Sequence, residues 1–327
     1  MTVHDVGSAW AELETSRFAP RKWLDALVQG ADLIMVISGS PAVCNAVRRA
    51  KAPIVLHVAT LVKLERHMQN SRLKGVIGLY RRVTTAATSR LDDLGLRVPA
   101  RVLVMNSLML QESRSRGIAR VEICPPGVDS ERFAPGIQLA AQPYILMVAR
   151  LSDPRKNLSG LICAYAMARE KHGITHHLVL AGLSGPTDSD LRLINELNIE
   201  SSVHIHSPVS ETELVRLYQE ADLFASASFE EGYGLTFLEA MSCAVAVITT
   251  ITAGSSFILG DSSAGALLPQ GQDLTDRFAA ELGRWCNDAD LRRRGGEAAR
   301  ARVLSNFSDS VTARRIVEVI DEARRNP

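Results

Sequence analysis

Short apolar runs alternate with amphipathic segments through the second half of the chain, from about residue 143 onward. The runs are rich in Val, Ile, Leu and Ala, which is typical of strands buried on both faces of a parallel sheet. The segments between them carry apolar residues at helical spacing. We predict five parallel strands, separated by helices that cover both faces of the sheet, at residues 144–149, 177–181, 203–206, 222–227 and 245–248.

The first part of the chain shows the same alternation over a shorter length, with strand candidates at residues 32–38, 53–59, 101–106 and 121–124. A stretch rich in Pro and Gly then follows, which indicates an interdomain connection. We therefore predict an α/β protein of two Rossmann-like domains, with parallel sheets and helices on both faces and a shortened first domain. The predicted parts are an N-terminal domain at 1–128, a linker at 129–142, a C-terminal domain at 143–310, and a helix at 311–327 that returns toward the N-terminal domain.

Four residues that could contact a ligand lie just beyond the carboxyl ends of predicted strands of the C-terminal domain. They are Arg150, Gly182, Ser207 and Glu231. In open α/β sheets, ligands bind outside the carboxyl ends of the strands. The pattern therefore predicts a ligand site at that edge of the second sheet.

The segment 229–241 carries two carboxylates, Glu231 and Glu239, on either side of a Gly-Tyr-Gly turn. The first lies in the loop after a strand, and the second lies near the start of a predicted helix. Glycine allows a ligand to approach the backbone closely, and the free amides of a helix N-terminus favour an anion. A nucleotide sugar carries both the hydroxyls and the phosphates that suit this arrangement. The alternative is structural, with Thr236 as the N-cap of a capping box that Glu239 completes.

The segment 150–157 follows the first strand of the C-terminal domain and precedes a helix that Asn157 would cap. Its cations Arg150, Arg155 and Lys156 would face the edge of the sheet. There they could neutralise a diphosphate whose charge grows as a glycosyl bond breaks. The alternative is that these cations are solvated loop residues without a ligand.

Composition restricts the class of protein. The chain has 327 residues, of which 46% are hydrophobic, and its apolar runs are shorter than the roughly 18 residues that a membrane helix requires. Its start lacks the basic and apolar parts of a signal peptide. The five cysteines form no Cys-x-x-Cys pair, which argues for reduced thiols and against a zinc site. We expect a cytoplasmic protein.

Charge is distributed unevenly along the chain. Residues 1–130 hold 18 Lys and Arg against 11 Asp and Glu, a net +7, whereas residues 131–327 hold 19 against 25, a net −6. The basic residues are densest at 63–74 and 81–82, where apolar residues are interleaved. One interpretation is a basic amphipathic helix that meets an anionic membrane surface or a lipid-linked phosphate. The other is a solvated helix packed on its own domain. Nucleic acid is not expected as a partner, because aromatic residues are few and the whole chain is nearly neutral.

Three ordered motifs resemble those of the family 4 retaining glycosyltransferases of GT-B fold, also called glycosyl transferases group 1. Residues 124–133 look like the linker signature of that family. Residues 150–157 look like its Arg…Arg-Lys-Asn phosphate motif, and residues 231–239 look like its Glu-x7-Glu motif. The resemblance extends from about residue 31 to the C-terminus.

The resemblance implies roles for particular residues. Arg150 and Lys156 would bind the donor diphosphate and stabilise the leaving group. Glu231 would contact the transferred sugar, and Glu239 would hold the ribose hydroxyls. With Arg150 and Lys156, Glu231 would form the catalytic set. The phosphate and sugar subsite would be lined by Gly232, Gly234 and Leu235.

The resemblance also implies an activity. It is metal-independent transfer of a hexose from a nucleotide diphosphate sugar to a glycan or lipid-linked acceptor, in cell-envelope or polysaccharide synthesis. No cofactor is expected. The anomeric configuration would be retained, with the leaving phosphate taking the proton of the acceptor. Such a mechanism requires positioning and electrostatics from the protein rather than a nucleophile. The enzyme would act in the cytoplasm, at the inner face of the membrane.

The N-terminal half departs from the family pattern. It lacks the first strand and the Gly-rich loop, as if a βαβ unit were missing. Ala59 occupies the position where the family often has a histidine, and His57, two residues earlier, is a weak candidate for contact with the acceptor. The alternative function is therefore a non-catalytic nucleotide-sugar-binding protein or a truncated pseudo-transferase.

Overall fold

The computed structural model describes residues 14–66, 75–137, 140–260 and 263–325. The chain forms two compact units. The first unit comprises Met1–Pro125 and Ala313–Pro327, and the second comprises Pro126–Thr312.

The first unit contains a parallel sheet whose strands lie in the order β1-β2-β3-β4. Its described elements are a 3₁₀ helix Glu14–Phe18, α1 (Lys22–Val28), β1 (Ile34–Ser38), a 3₁₀ helix Pro41–Val47, β2 (Ile54–Val58), α2 (Val62–Glu65), α3 (Gly75–Gly95), β3 (Arg101–Val104), α4 (Ser107–Ser115) and β4 (Val121–Ile123). Leu56 lies opposite Val36 and Val102 in the register, and these side chains share one buried face of the sheet. On the other face, Val55 and Leu103 belong to a second cluster, which includes residues near the C-terminus.

The second unit contains a six-stranded parallel sheet in the order β10-β9-β8-β5-β6-β7. Its elements are β5 (Tyr144–Val148), a 3₁₀ helix Pro154–Lys156, α5 (Leu158–His172), β6 (His177–Ala181), α6 (Asp188–Glu196), a 3₁₀ helix Glu200–Ser202, β7 (Val203–His206), α7 (Glu211–Glu220), β8 (Leu223–Ser226), α8 (Leu235–Ser242), β9 (Val247–Thr250), α9 (Ala253–Leu259), β10 (Gly265–Leu268), α10 (Leu274–Asn287) and α11 (Ala289–Asn306). The last helix, α12 (Asp309–Arg325), begins in this unit, and its residues from Ala313 onward belong to the first unit.

Alternate residues of the second sheet enter two different cores. On one face, Ile145 and Leu223 belong to the large cluster that α5 and α10 cover. On the other face, Phe224 of β8 packs between two aromatic rings, with its centroid 6.0 Å from that of Tyr218 on α7 and 5.9 Å from that of Phe237 on α8. Both faces of the sheet are therefore covered by helices, as an all-parallel sheet requires.

The predicted α/β fold with parallel sheets and helices on both faces is confirmed. Each of the nine strand candidates overlaps a strand, and the tenth strand, β10, was not predicted. The residues predicted as a linker, 129–142, group with the second unit. Their backbone is held there by side chains of that unit, because Arg300 donates to the Phe133 carbonyl at 3.1 Å and Gln219 donates to the Ala134 carbonyl at 3.1 Å.

The predicted basic helix at 63–82 is only partly described, because residues 67–74 lie outside the described ranges. Before that gap, Val62 of α2 is buried. After it, Leu79, Tyr80 and Val83 of α3 are each at least 60% exposed. Among the described helices, none is both long and apolar enough to span a membrane.

Candidate functional site

Two loops that leave the second sheet at its carboxyl edge lie side by side. They follow β5 and β8, which are neighbouring strands in the sheet. The loops are joined by their backbones, since the Phe229 N–H donates to the Arg155 carbonyl at 2.8 Å. Asn157 occupies the N-cap position of α5, but its side chain does not cap the helix. It donates instead to the Ala227 carbonyl at 3.1 Å and so ties the first loop to the end of β8.

Lys156 and Glu231, predicted from separate motifs, are in direct contact. Lys156 Nζ lies 2.6 Å from Glu231 Oε2, and each side chain is only 17% exposed. Charge-assisted hydrogen bonds of this length are among the stronger polar contacts in proteins. The contact fixes a cation and a carboxylate together at the edge of the sheet, where a ligand with both phosphates and hydroxyls could reach them.

The two arginines of the first loop share one carboxylate, Asp153, which the sequence reasoning did not select. Arg155 donates to it from its backbone at 3.0 Å and from its guanidinium at 2.7 Å, and the Arg150 guanidinium lies 3.0 Å away. The hydrogen bonds from Arg155, aided by the nearby arginine charges, lower the pKa of Asp153 to about 2. Arg150 is 65% exposed, so its guanidinium remains accessible to a ligand.

The glycine turn leads directly into helix α8. Gly234 is the N-cap residue with φ of 96°, a conformation that glycine adopts without strain. Leu235 is the first residue of the helix, and its amide belongs to the set that lacks partners within an α-helix. The predicted phosphate and sugar subsite residues, Gly232, Gly234 and Leu235, therefore lie within four residues of one another at the start of this helix.

The capping-box interpretation is wrong. Thr236 is the second residue of α8 rather than its N-cap, and no side chain caps the helix. Glu239 accepts a hydrogen bond from the Tyr218 hydroxyl at 2.6 Å instead of reaching back to the helix start. A Gly-Tyr-Gly segment (residues 232–234) precedes the helix. The helix begins at Leu235, two residues earlier than the Thr–Glu spacing predicted.

Several residues that the sequence reasoning missed support the loop that carries Glu231. The Gly254 N–H donates to the Glu231 carbonyl at 2.9 Å. A Cβ at Gly254 would lie 2.5 Å from the Tyr233 carbonyl oxygen, so a larger residue there would displace the loop. Gln270 donates to the Phe229 carbonyl at 2.9 Å, and the Tyr233 hydroxyl donates to the Pro126 carbonyl at 2.7 Å. Gly254 had a sequence signal, since it lies among small residues in the first turn of the helix that follows β9.

His57, the weak candidate for contact with the acceptor substrate, belongs to the first unit and is buried in strand β2. Its Nε2 lies 2.7 Å from the Cys124 carbonyl oxygen. Burial lowers the pKa of its imidazole. The hydrogen bond gives His57 a structural role within its unit, and its contact with an acceptor stays a prediction. In the described part of the chain, no group of three or more His, Cys, Asp or Glu side chains is arranged to hold a metal ion.

Glu239 is expected to reduce the stability of the folded protein at neutral pH. Burial raises the pKa of its carboxyl, and the Tyr218 hydrogen bond and the Arg132 charge only partly offset this. The folded state therefore resists ionisation of Glu239 more than the unfolded state does. Glu239→Gln should increase the free energy of unfolding at pH 7 by roughly 0.5–2 kcal/mol, the range of single stabilising substitutions.

Urea unfolding of both proteins across pH checks this expectation. Well below the ordinary carboxyl pKa of about 4.3, Glu239 is protonated in both states, and the two proteins should be equally stable. The advantage of the variant should then grow as pH rises to the raised pKa of the folded state. An advantage that is constant with pH, or that falls as pH rises, would contradict the raised pKa.

Comparison with known proteins identifies the family. Residues 130–302 match the family described as glycosyl transferases group 1. The D-inositol 3-phosphate glycosyltransferase of Corynebacterium jeikeium is 31% identical over 219 residues, which cover 62% of this chain and 52% of that protein. The MMP alpha-(1->4)-mannosyltransferase of Mycolicibacterium hassiacum is 29% identical over 205 residues, which cover 62% of this chain and 49% of that protein. The chain thus spans about half the length of the curated relatives it matches.

Among solved structures, sucrose-phosphate synthase from Thermosynechococcus elongatus superimposes with a TM-score of 0.72. The match covers 90% of this chain and 74% of that one at 21% sequence identity, and it shows a shared GT-B-like fold. The family match covers both loops of the candidate site and more than half of the sequence. The chain therefore belongs to the glycosyl transferases group 1 family.

Proposed function

We propose that this chain is a family 4 retaining glycosyltransferase that moves a hexose from a nucleotide diphosphate sugar to a glycan or lipid-linked acceptor. The observation that carries the proposal is the contact of Lys156 with Glu231 at 2.6 Å, beside the start of helix α8. It brings together a cation suited to a phosphate, a carboxylate suited to sugar hydroxyls, and a helix N-terminus that favours anions.

In this proposal the second unit binds the donor without a metal or cofactor. Arg150 and Lys156 contact the diphosphate and stabilise the charge that develops on the leaving phosphate. Glu231 contacts the hydroxyls of the transferred sugar, while the backbone at Gly232, Gly234 and Leu235 lines the phosphate and sugar subsite. Glu239 accepts hydrogen bonds from the ribose. The leaving phosphate takes the proton of the acceptor on the same face of the sugar, so the anomeric configuration is retained.

The names of the relatives support a hexose donor and a small or glycan-like acceptor. One relative is a mannosyltransferase, and another acts on D-inositol 3-phosphate. We extend the proposal to cell-envelope or polysaccharide synthesis. Because the matched part is about half of each relative, the acceptor, the donor base and the linkage are all part of the proposal.

We also propose that the enzyme acts in the cytoplasm and touches an anionic membrane surface through helix α3. The support is the exposure of Leu79, Tyr80 and Val83 on this helix, beside the basic residues Arg81 and Arg82. Apolar and basic side chains on one helix surface are typical of helices that lie in the interface of an anionic membrane. This contact would place the enzyme next to a lipid-linked acceptor.

A donor panel tests the proposed activity. The chain is incubated with UDP-, GDP- and ADP-hexoses, with and without inositol phosphate and glycan acceptors, and the released nucleoside diphosphate is measured. We expect turnover with at least one donor, and we expect Glu231→Gln to lower it about 10²-fold because its contacts with the sugar are lost. Glu170→Gln is the matched control, since Glu170 is exposed on α5.

Two outcomes would count against the proposal. If Glu231→Gln turned over the donor as fast as the native chain, Glu231 would not contact the transferred sugar. If a donor bound but no acceptor or water received the sugar, the chain would be a non-catalytic nucleotide-sugar-binding protein.

A further inference from the structure

A tyrosine in the core of the second unit is hydrogen-bonded to a residue of the candidate site. Tyr218, on α7, is completely buried, and its ring packs against Phe224 and, edge to face, against Phe133 at 5.7 Å. These contacts enclose the phenol ring within the core. Its hydroxyl therefore has a fixed direction, and it points to Glu239 of helix α8, with Oη 2.6 Å from Oε2.

The donor of this hydrogen bond can be assigned to Tyr218. Burial and the adjacent Glu239 carboxylate raise the pKa of the Tyr218 phenol well above its ordinary value. The hydroxyl thus remains protonated, and it is the donor to the carboxylate. The other oxygen, Oε1, accepts no hydrogen bond from the described residues. One oxygen of Glu239 is held by the protein, and the other is left for a ligand.

We propose that Tyr218 is a positioning residue of the nucleotide site, whose buried hydroxyl holds the Glu239 carboxylate by one oxygen so that the second can accept hydrogen bonds from ribose hydroxyls. This inference rests on the proposed function, which gives Glu239 its ligand. A carboxylate accepts two ribose hydroxyls well only when it is both charged and fixed in orientation. The tyrosine supplies both conditions from a position where it cannot touch the ligand itself.

The other titratable and charged groups near this pair are few. Arg132, in the segment before β5, contributes the charge that favours an ionised Glu239. This guanidinium is shared, because it also pairs with Glu211 at 3.0 Å. Cys243 follows on the chain after α8, and Arg300 of α11 faces that thiol. Among the described residues, the hydrogen bond to the Glu239 carboxylate comes from the Tyr218 hydroxyl.

A measurement without any nucleotide tests the coupling of the two residues. Tyr218→Phe keeps the packed ring and removes only the donor. The pH dependence of the stability advantage of Glu239→Gln is measured by urea unfolding in the native and in the Tyr218→Phe background. We expect the pH at which this advantage levels off to rise by roughly one to two units in the Tyr218→Phe background, because a hydrogen bond to a charge is lost. An unchanged pH would overturn the proposal.

A second measurement tests the role in binding. Calorimetry from pH 5 to 9 uses the best-bound of UDP-glucose, GDP-mannose and ADP-glucose, whose diphosphates do not titrate in this range. Tyr218→Phe should move the acid limb of the binding profile upward by roughly one to two pH units. On the Glu239→Gln background, the same substitution should leave the profile unchanged, because the titrating carboxyl is absent.

The outcomes separate this inference from the proposed function. If none of the three nucleotide sugars bound to the native chain, the proposed function would fail, while the urea measurement would still decide the Tyr218–Glu239 coupling. If a nucleotide sugar bound and Tyr218→Phe weakened it equally at every pH, Tyr218 would be a packing residue, and the inference would be overturned.

Discussion

Lys156→Ala should lower kcat/KM for transfer from a nucleotide diphosphate sugar by about 10²–10³-fold. In the proposed mechanism Lys156 lies against the diphosphate, where negative charge develops as the glycosyl bond breaks. Removing one preorganised group that stabilises such a charge typically costs about this factor. The loss should appear both in donor binding and in kcat, because the lysine contacts the diphosphate of the bound donor and the charge there grows in the transition state.

The substitution also leaves Glu231, its partner at 2.6 Å, without its cation, so folding must be checked separately. Lys156→Ala combined with Glu231→Gln removes the unpaired charge and should be equally inactive. Lys171→Ala is the control, because Lys171 pairs with Asp276 at an exposed surface and should lose no activity. A folded Lys156→Ala variant with native kcat/KM would show that the lysine does not stabilise the leaving group.

Phe224→Ala should destabilise the protein more than any change at the site, by about 3–5 kcal/mol. Phe224 is fully buried and lies between the rings of Tyr218 and Phe237, so its removal leaves a cavity lined by rigid aromatic groups. Urea unfolding monitored by circular dichroism measures the loss. Because α7 and α8 both pack against this ring, the variant should also bind a donor more weakly at temperatures where it remains folded.

The control for this prediction is Leu304→Ala on α11, where the leucine is 45% exposed. Its effect should stay within about 0.5 kcal/mol, as is usual for surface positions. A similar loss for both variants would mean that Phe224 is not at the centre of a packed core.

Much of the fold was predictable because buried parallel strands have a pattern that local residues determine. Nine strand candidates, for example 53–59 for β2, overlap strands of the structure. β10 (Gly265–Leu268) was missed because it has few residues, contains glycine and lacks β-branched side chains. It forms through its pairing with β9, where a Cβ at Gly265 would collide with the Val247 carbonyl. Such a close approach of two backbones is invisible in a local pattern.

The place of the candidate site was predictable because the carboxyl ends of parallel strands meet at one edge of a sheet. Lys156 and Glu231 follow strands that turn out to be neighbours, and the side chains meet. The hydrogen-bond partner of Glu239 was not predictable. Tyr218 occupies one apolar position of an amphipathic helix, where it has the pattern of an ordinary core residue. Asp153 was overlooked for a similar reason, since its role depends on the fold of a loop that brings two arginines to it.

The central claim is that the carboxyl edge of the second sheet binds a nucleotide diphosphate sugar. Calorimetric titration of the chain with UDP-, GDP- and ADP-hexoses tests it most directly, with Lys156→Ala and Lys171→Ala titrated in parallel. The account predicts saturable binding of at least one of these compounds, at least tenfold weaker in Lys156→Ala and unchanged in Lys171→Ala. Binding that is equally strong in both variants, or no saturable binding of any compound to the folded native chain, would contradict it.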